Sequence, residues 1–140
     1  MHKCQAIILK CMDFRLLEEL DRFVAERDLV HNWDDVSWAG AGWELVHGKR
    51  AVRKFILKQI ALSRDLHKAE VVIIFHHSDC GAYKSAYNFA SEEAGKRFQL
   101  EDMKKAEEII RERFPEMEVK KIWGQLLDPE GRKVEFSEVD

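Results

Sequence analysis

The run Val71-Val72-Ile73-Ile74-Phe75 is five apolar residues without a break, and it empties into His76-His77-Ser78-Asp79-Cys80-Gly81. A Val- and Ile-rich run with no polar face predicts a strand covered on both sides, as in the middle of a parallel sheet. Open α/β sheets place their ligands beyond the carboxyl ends of such strands. His77 and Cys80 stand three apart at that end. Packing requires neither residue type there, and both are favoured zinc ligands.

A second stretch repeats the construction. Ala6-Ile7-Ile8-Leu9 runs into Lys10-Cys11-Met12-Asp13-Phe14-Arg15. In extended chain, side chains alternate, so Cys11, Asp13 and Arg15 share one side while Met12 and Phe14 take the other. Cys11 and His77 are 77 − 11 = 66 positions apart. They meet only if both close neighbouring parallel strands at one edge, with the Ala39-Gly40-Ala41-Gly42 turn closing a third. Cys11, His77 and Cys80 then form the three-ligand set of a catalytic zinc site with a fourth place open. Two thiolates cancel the formal charge of the ion and weaken its pull on a bound water. Asp13 is suited to compensate by accepting the hydrogen bond of a zinc-bound hydroxide, with Arg15 holding Asp13 ionised. The plainer alternative makes Asp13 the cap of a helix starting near Phe14 and Arg15 a surface residue.

The rest of the chain supplies the frame. Leu16, Leu17, Leu20, Phe23 and Val24 recur at helical spacing, predicting a helix that ends near Asp28. Asp35 to Trp38 reads as a weak strand. The longest helix is expected from about Gly48 to Leu66, with Val52, Phe55, Ile56, Ile60 and Ala61 as its buried stripe. Further helices are expected over Gly81 to Ala90 and Leu100 to Phe114, the latter ended by Pro115. Val119 to Leu127 and Lys133 to Phe136 read as two strands around Asp128-Pro129-Glu130-Gly131. Strands alternating with helices predict an α/β fold: a parallel-centred β-sheet flanked by helices, with a C-terminal strand pair. At 140 residues the expectation is a single domain over 1–140.

A net charge of −3 gives no reason to expect nucleic acid or an anionic membrane as partner. Ala6 to Leu9 is too short for the core of a signal peptide, and no stretch approaches a membrane span. Cys4, Cys11 and Cys80 are an odd set of cysteines. Together these features predict a cytoplasmic protein whose cysteines bind metal or react rather than form disulfides.

Cys11-Met12-Asp13-Phe14-Arg15, Ala39-Gly40 and His77-Ser78-Asp79-Cys80-Gly81-Ala82 together resemble the β-class carbonic anhydrases, whose signature is C-x-D-x-R, an Ala-Gly turn and H-x-x-C-G. Gly124 to Gly131 is similar to that family's late strand and turn. The resemblance implies Zn2+ on Cys11, His77 and Cys80, and an Asp13–Arg15 dyad beside it. It implies reversible hydration of carbon dioxide to bicarbonate, and a homodimer or higher oligomer. It also implies that Arg15 can act as a latch keeping Asp13 off the metal. A related zinc hydrolase acting on carbonyl sulfide or carbon disulfide, and a non-catalytic zinc domain whose pocket Phe14, Ser37 and Trp38 have closed, are the competing readings. A thiol phosphatase or sulfurtransferase loop would need a longer gap between Cys11 and Arg15.

The chain departs from the family at several positions. Phe14 replaces the usual Ser, Ser37-Trp38 replace Arg-Asn, and His76 replaces a glycine. The glutamine upstream of the first zinc cysteine and the helical amino-terminal arm have no counterpart. His76 reads either as a proton shuttle or as a hydrogen-bonded structural histidine. Asp79 reads as a support for the zinc ligands or a cap of the next helix. Trp38 and Trp43 are expected in packing, Cys4 as a small buried hydrophobe near the opposite end of its strand, and His2, His31, His47 and His67 without evident partners.

Overall fold

The computed structural model describes residues 2–140. Strand β1 (Ala6–Cys11) and strand β3 (Val71–His77) are buried at every residue, as unbroken apolar runs require. They lie side by side and parallel, with Ala6 opposite Val71 and Lys10 opposite Phe75. Strand β2 (Trp33–Trp38) pairs parallel with the other side of β1, Cys11 opposite Trp38. Strand β4 (Glu118–Leu126) pairs parallel with β3, His77 opposite Gly124, and β5 (Val134–Val139) returns antiparallel on β4. The order is β2-β1-β3-β4-β5. This register brings Cys11, His77 and the turn after Trp38 to one edge of the sheet.

The two-residue period of the strands divides the core into two layers. Ala6, Ile8, Ile73 and Phe75 pack with Leu16, Leu20, Phe23 and Val24, the last three from α1 (Leu17–Glu26). Ile7, Leu9, Val72 and Ile74 face the other way, onto Ile56 and Ile60 of α3 (Arg50–His67) and Met103, Ala106 and Ile110 of α5 (Glu92–Arg113). Between them α2 (Trp43–His47) follows the glycine turn, and α4 (Gly81–Ala86) follows Cys80. Among the described residues no helix is long and apolar enough to cross a membrane.

Several boundaries differ from those expected. The longest helix is α5, at 22 residues, not α3, at 18. Its first two turns carry few apolar residues; Ser91 starts it by accepting a hydrogen bond from the Ala94 amide at 3.0 Å, with Glu92 and Glu93 at its positive end. The helix expected to run to Ala90 stops at Ala86. The strand expected from Asp35 begins at Trp33, and α2 was not foreseen.

Candidate metal centre

Cys11 ends β1, His77 ends β3 and Cys80 stands at the amino end of α4, all three buried. Their ligand atoms lie within 4.8 Å of one another. The two sulfurs are 3.9 Å apart, far beyond a disulfide. Two sulfurs each about 2.3 Å from one tetrahedral zinc ion would stand about 3.8 Å apart. His77 donates from Nδ1 to the carbonyl of Ser78 at 2.6 Å. That fixes the tautomer and leaves Nε2 with a free lone pair. Nε2 is buried and, among the described residues, has no hydrogen-bond partner. An unsatisfied buried nitrogen costs about 1–3 kcal/mol, a cost that a ligated metal removes. The donor set, the sulfur spacing and the orphaned nitrogen all fit a zinc ion.

The electrostatics of the sulfurs point the same way. The thiol of Cys80 holds Cys11 well below the usual thiol range against the opposing effect of burial, with His77 and the Gly40 amide adding to the shift. Cys80 is pushed up, first by that same contact with Cys11 and then by burial. A dication held between the two sulfurs would let both ionise.

Asp13 and Arg15 form a clamp beside this set. Asp13 accepts from the Arg15 amide at 2.9 Å, capping the short 3-10 turn Phe14–Leu16, and from the guanidinium Nη2 at 2.7 Å. It is therefore both the cap and the partner of Arg15. Its Oδ2 lies 3.8 Å from His77 Nε2, but Asp13 stands next to the three ligands rather than among them. The rest of the guanidinium is held by the Asp79 carboxylate at 2.8 Å, the Asp79 carbonyl at 3.0 Å and the Pro129 carbonyl at 3.1 Å. Asp79 does not cap α4; it sits at φ 55° and bridges Arg15 to Lys84. Gly131, at φ 71°, closes over Arg15: a Cβ there would stand 2.6 Å from the Arg15 Cβ.

Burial pushes the Asp13 carboxyl up, but the hydrogen bonds from Arg15 outweigh it and hold it below the usual carboxylate range. Lys84 and then Arg15 lower Asp79. Lowered carboxyls contribute stability that is present above their unfolded values, near pH 4, and lost as pH falls through the native ones. Arg15→Met should therefore lose less stability than the native chain between pH 5 and pH 3. The expected difference is about 1 kcal/mol, because the half-exposed Asp79 side chain is screened by solvent. Urea unfolding at the two pH values measures it, and equal losses in both proteins would dismiss the clamp as a source of stability.

His76 is not the proton shuttle considered from the sequence. Its Nε2 accepts from the Gly42 amide at 2.9 Å and its Nδ1 pairs with Gln99 Oε1 at 2.9 Å, so both nitrogens are committed. Burial lowers it to about 4, which keeps the ring neutral. A Cβ at Gly42 would lie 2.8 Å from that ring. Gln99 also donates to the His77 carbonyl at 3.0 Å, and so holds both histidines from α5. Asp102, one turn on, accepts from Tyr83 at 2.8 Å and pairs with His47 at 2.9 Å. Neither Gln99 nor Asp102 was foreseen, although polar residues inside the buried stripe Gly95, Gln99, Asp102, Met103, Ala106 were the available signal. His76→Ala should cost about 2–4 kcal/mol by leaving the Gly42 amide and the Gln99 oxygen unpaired next to a cavity. Denaturant unfolding reads it, and a cost below about 1 kcal/mol would mean that water replaces the ring.

Trp38 donates to the Ala41 carbonyl at 2.8 Å and Trp43 to Tyr87 at 3.0 Å, both as packing residues. Phe14 is 79% exposed, so it does not plug the site within one chain. A cavity of about 500 Å³ between α4, α5 and β4 touches Cys80 but not Asp13 or His77.

This arrangement can be set beside known proteins. A family model described as "Putative carbonic anhydrase" matches residues 1–129. The chain belongs to that family. Two bacterial relatives carry no assigned activity: an uncharacterized protein of Rickettsia bellii, 32% identical over 85% of this chain and 75% of its own length, and one of Rickettsia conorii, 30% identical over 85% and 66%. Solved carbonic anhydrases share the fold. The β-carbonic anhydrase CafA of Aspergillus fumigatus matches at TM-score 0.68 and 11% identity over 99% of this chain and 76% of its own. An isoform from Trichomonas vaginalis matches at 0.64 and 14% over 99% and 85%. One of two β-carbonic anhydrases from Sordaria macrospora, described as tetrameric, matches at 0.67 and 13% over 99% and 82%. The chain is thus a short, divergent carbonic anhydrase family member with the β-class sheet.

Proposed function

We propose that this chain, acting as one domain over residues 1–140, is a zinc-dependent enzyme that reversibly hydrates carbon dioxide to bicarbonate. The observation that carries the reading is the buried His77 Nε2, without a hydrogen-bond partner among the described residues, set between two cysteine sulfurs and next to the clamped Asp13 carboxylate. Cys11, His77 and Cys80 would hold the ion. When bound, it supplies the Lewis acidity that makes water a nucleophile near neutral pH.

The side chains supply the rest. An ionised carboxylate is acceptor-only, so Asp13 can take the hydrogen bond of the attacking water and turn its lone pair towards carbon dioxide. Arg15 occupies the Asp13 oxygens and keeps that carboxylate aimed and ionised. Ser78 fixes the loop between the ligands: its hydroxyl accepts from the Leu126 amide at 2.8 Å and its amide donates to the Gly124 carbonyl at 2.9 Å. With His76 committed on both nitrogens, the product proton leaves through solvent or buffer. Apolar Met12, Phe14, Leu17 and Leu127, all more than half exposed, supply a surface for a homodimer or higher oligomer. Three free cysteines suit a cytoplasmic setting.

Stopped-flow hydration of carbon dioxide on protein of verified zinc content tests the proposal. The expected result is a rate far above the spontaneous one that disappears on chelation and rises with buffer concentration. No rate above background with the metal fully loaded overturns it, and makes carbonyl sulfide and carbon disulfide the next substrates to assay.

A further inference from the structure

At the opposite end of the sheet the fold gathers a second set of donors. Cys4 precedes β1, Asp34 lies in β2 and His67 is the last residue of α3. Their ligand atoms also lie within 4.8 Å of one another, at half-buried positions open to solvent. Cys4 packs against the core as expected from the sequence but is only half-buried and also meets polar neighbours, and His67 has a partner after all. A strand of six residues separates this cluster from Cys11, a distance of about 20 Å.

The cluster is built rather than incidental. Asp34 accepts from the Ser63 hydroxyl at 2.6 Å and from His67 Nδ1 at 2.8 Å, so two groups of α3 orient its carboxylate. The Cys4 amide donates to the His67 carbonyl at 2.9 Å, which pins Cys4 against the end of that helix. Two residues before Cys4, and on the same side in extended chain, the His2 ring stands 4.9 Å from the His67 ring. A thiol, a carboxylate and an imidazole, drawn from three separate segments, converge on one point, with the His2 imidazole beside them.

We propose that Cys4, Asp34 and His67, completed by His2, form a second metal site that takes a borderline divalent ion such as zinc. A mixed sulfur, nitrogen and oxygen set selects that class over magnesium or calcium, which want oxygen alone. Ligands on a tetrahedral zinc ion stand about 3.5 Å apart, so His67 Nδ1 and the Asp34 carboxylate, 2.8 Å apart here, move slightly apart on binding. Cys4 releases its proton. His67 binds through the nitrogen that faces Asp34 and takes its other neutral tautomer. Ser63 keeps its bond to Asp34 as the support of a ligand. The site would tie the segment before β1 to β2 and to the end of α3, as a structural clip independent of the reaction proposed for the first centre.

Metal content read by mass spectrometry after equilibrium dialysis against micromolar free zinc tests it. The native chain is expected to bind two equivalents, Cys4→Ser and His67→Gln one each, and Cys80→Ser the one held at the second site. A single equivalent that survives Cys4→Ser but is lost in Cys80→Ser overturns this proposal and leaves the first centre standing. A single equivalent with the reverse behaviour supports it and sinks the first. Should a variant fail to fold, anomalous diffraction at the zinc edge on crystals of the native chain gives the same answer. A peak among Cys4, Asp34 and His67 supports the site, and its absence at full occupancy of the first centre overturns it.

Discussion

Cys80→Ser is expected to release the metal of the first centre, to abolish carbon dioxide hydration above the spontaneous rate, and to lower the melting temperature by 10 °C or more. The argument begins with the two sulfurs 3.9 Å apart. A serine hydroxyl is shorter and far harder to ionise than a thiol, so the ion would be left with Cys11 and His77, too few for a tight site. The energy of binding is also folding energy. A loss of about 5 kcal/mol would shift the melting point of a chain this size by about 10–20 °C. The lost ligand also returns His77 Nε2 to a buried, unpaired state. Zinc content and thermal unfolding, with and without chelator, read the effect. Chelated native protein should melt close to the chelated variant, whereas a variant that keeps its metal and its melting point would remove Cys80 from the site.

The two halves of the centre were legible because each is an interruption of a local rule. An apolar run that ends in His77 and Cys80, and a second that ends in Cys11, place metal-binding side chains where packing asks for none. What could not be read was anything fixed by a partner distant in the chain. His76 reads equally as a proton shuttle or a hydrogen-bonded structural histidine, and only Gly42 and Gln99, 34 and 23 positions away, decide for the second by taking up its nitrogens. Gln99 and Asp102 look like surface residues of an amphipathic helix, because the first turns of α5 have little apolar content to show which face is buried. Cys4 and His67 meet only through the crossover that returns α3 to the start of β1. Parallel pairing was inferable from the alternation of strand and helix, whereas the place of β1 between β2 and β3 was not; the antiparallel β5 was expected only as a strand pair, and its run to Val139 exceeds the expected end at Phe136 because β4 offers partners as far as Lys121.

Asp13→Asn should leave the metal in place and still reduce turnover by about 10²–10⁴-fold. Asp13 is not one of the three ligands, and its removal leaves Cys11, His77 and Cys80 untouched. What changes is the charge that faces the attacking water. A carboxylate offers only acceptors, whereas an amide presents an NH₂ on one side. Arg15 claims the oxygens of residue 13 through Nε and Nη2, so the asparagine oxygen turns to the guanidinium and its NH₂ is left facing the reaction centre as a donor. A donor there would hold the water by the lone pair it needs for attack. The loss should fall on kcat more than on KM, since carbon dioxide itself makes no call on the carboxylate. It should persist across the pH range, because the native group is ionised throughout it. Stability should fall by about 1–3 kcal/mol, as Arg15 keeps Asp79 and Pro129 while losing its central partner. Stopped-flow rates at matched zinc content separate the two effects. Unchanged turnover in a variant that is measurably less stable would make Asp13 a structural cap and nothing more.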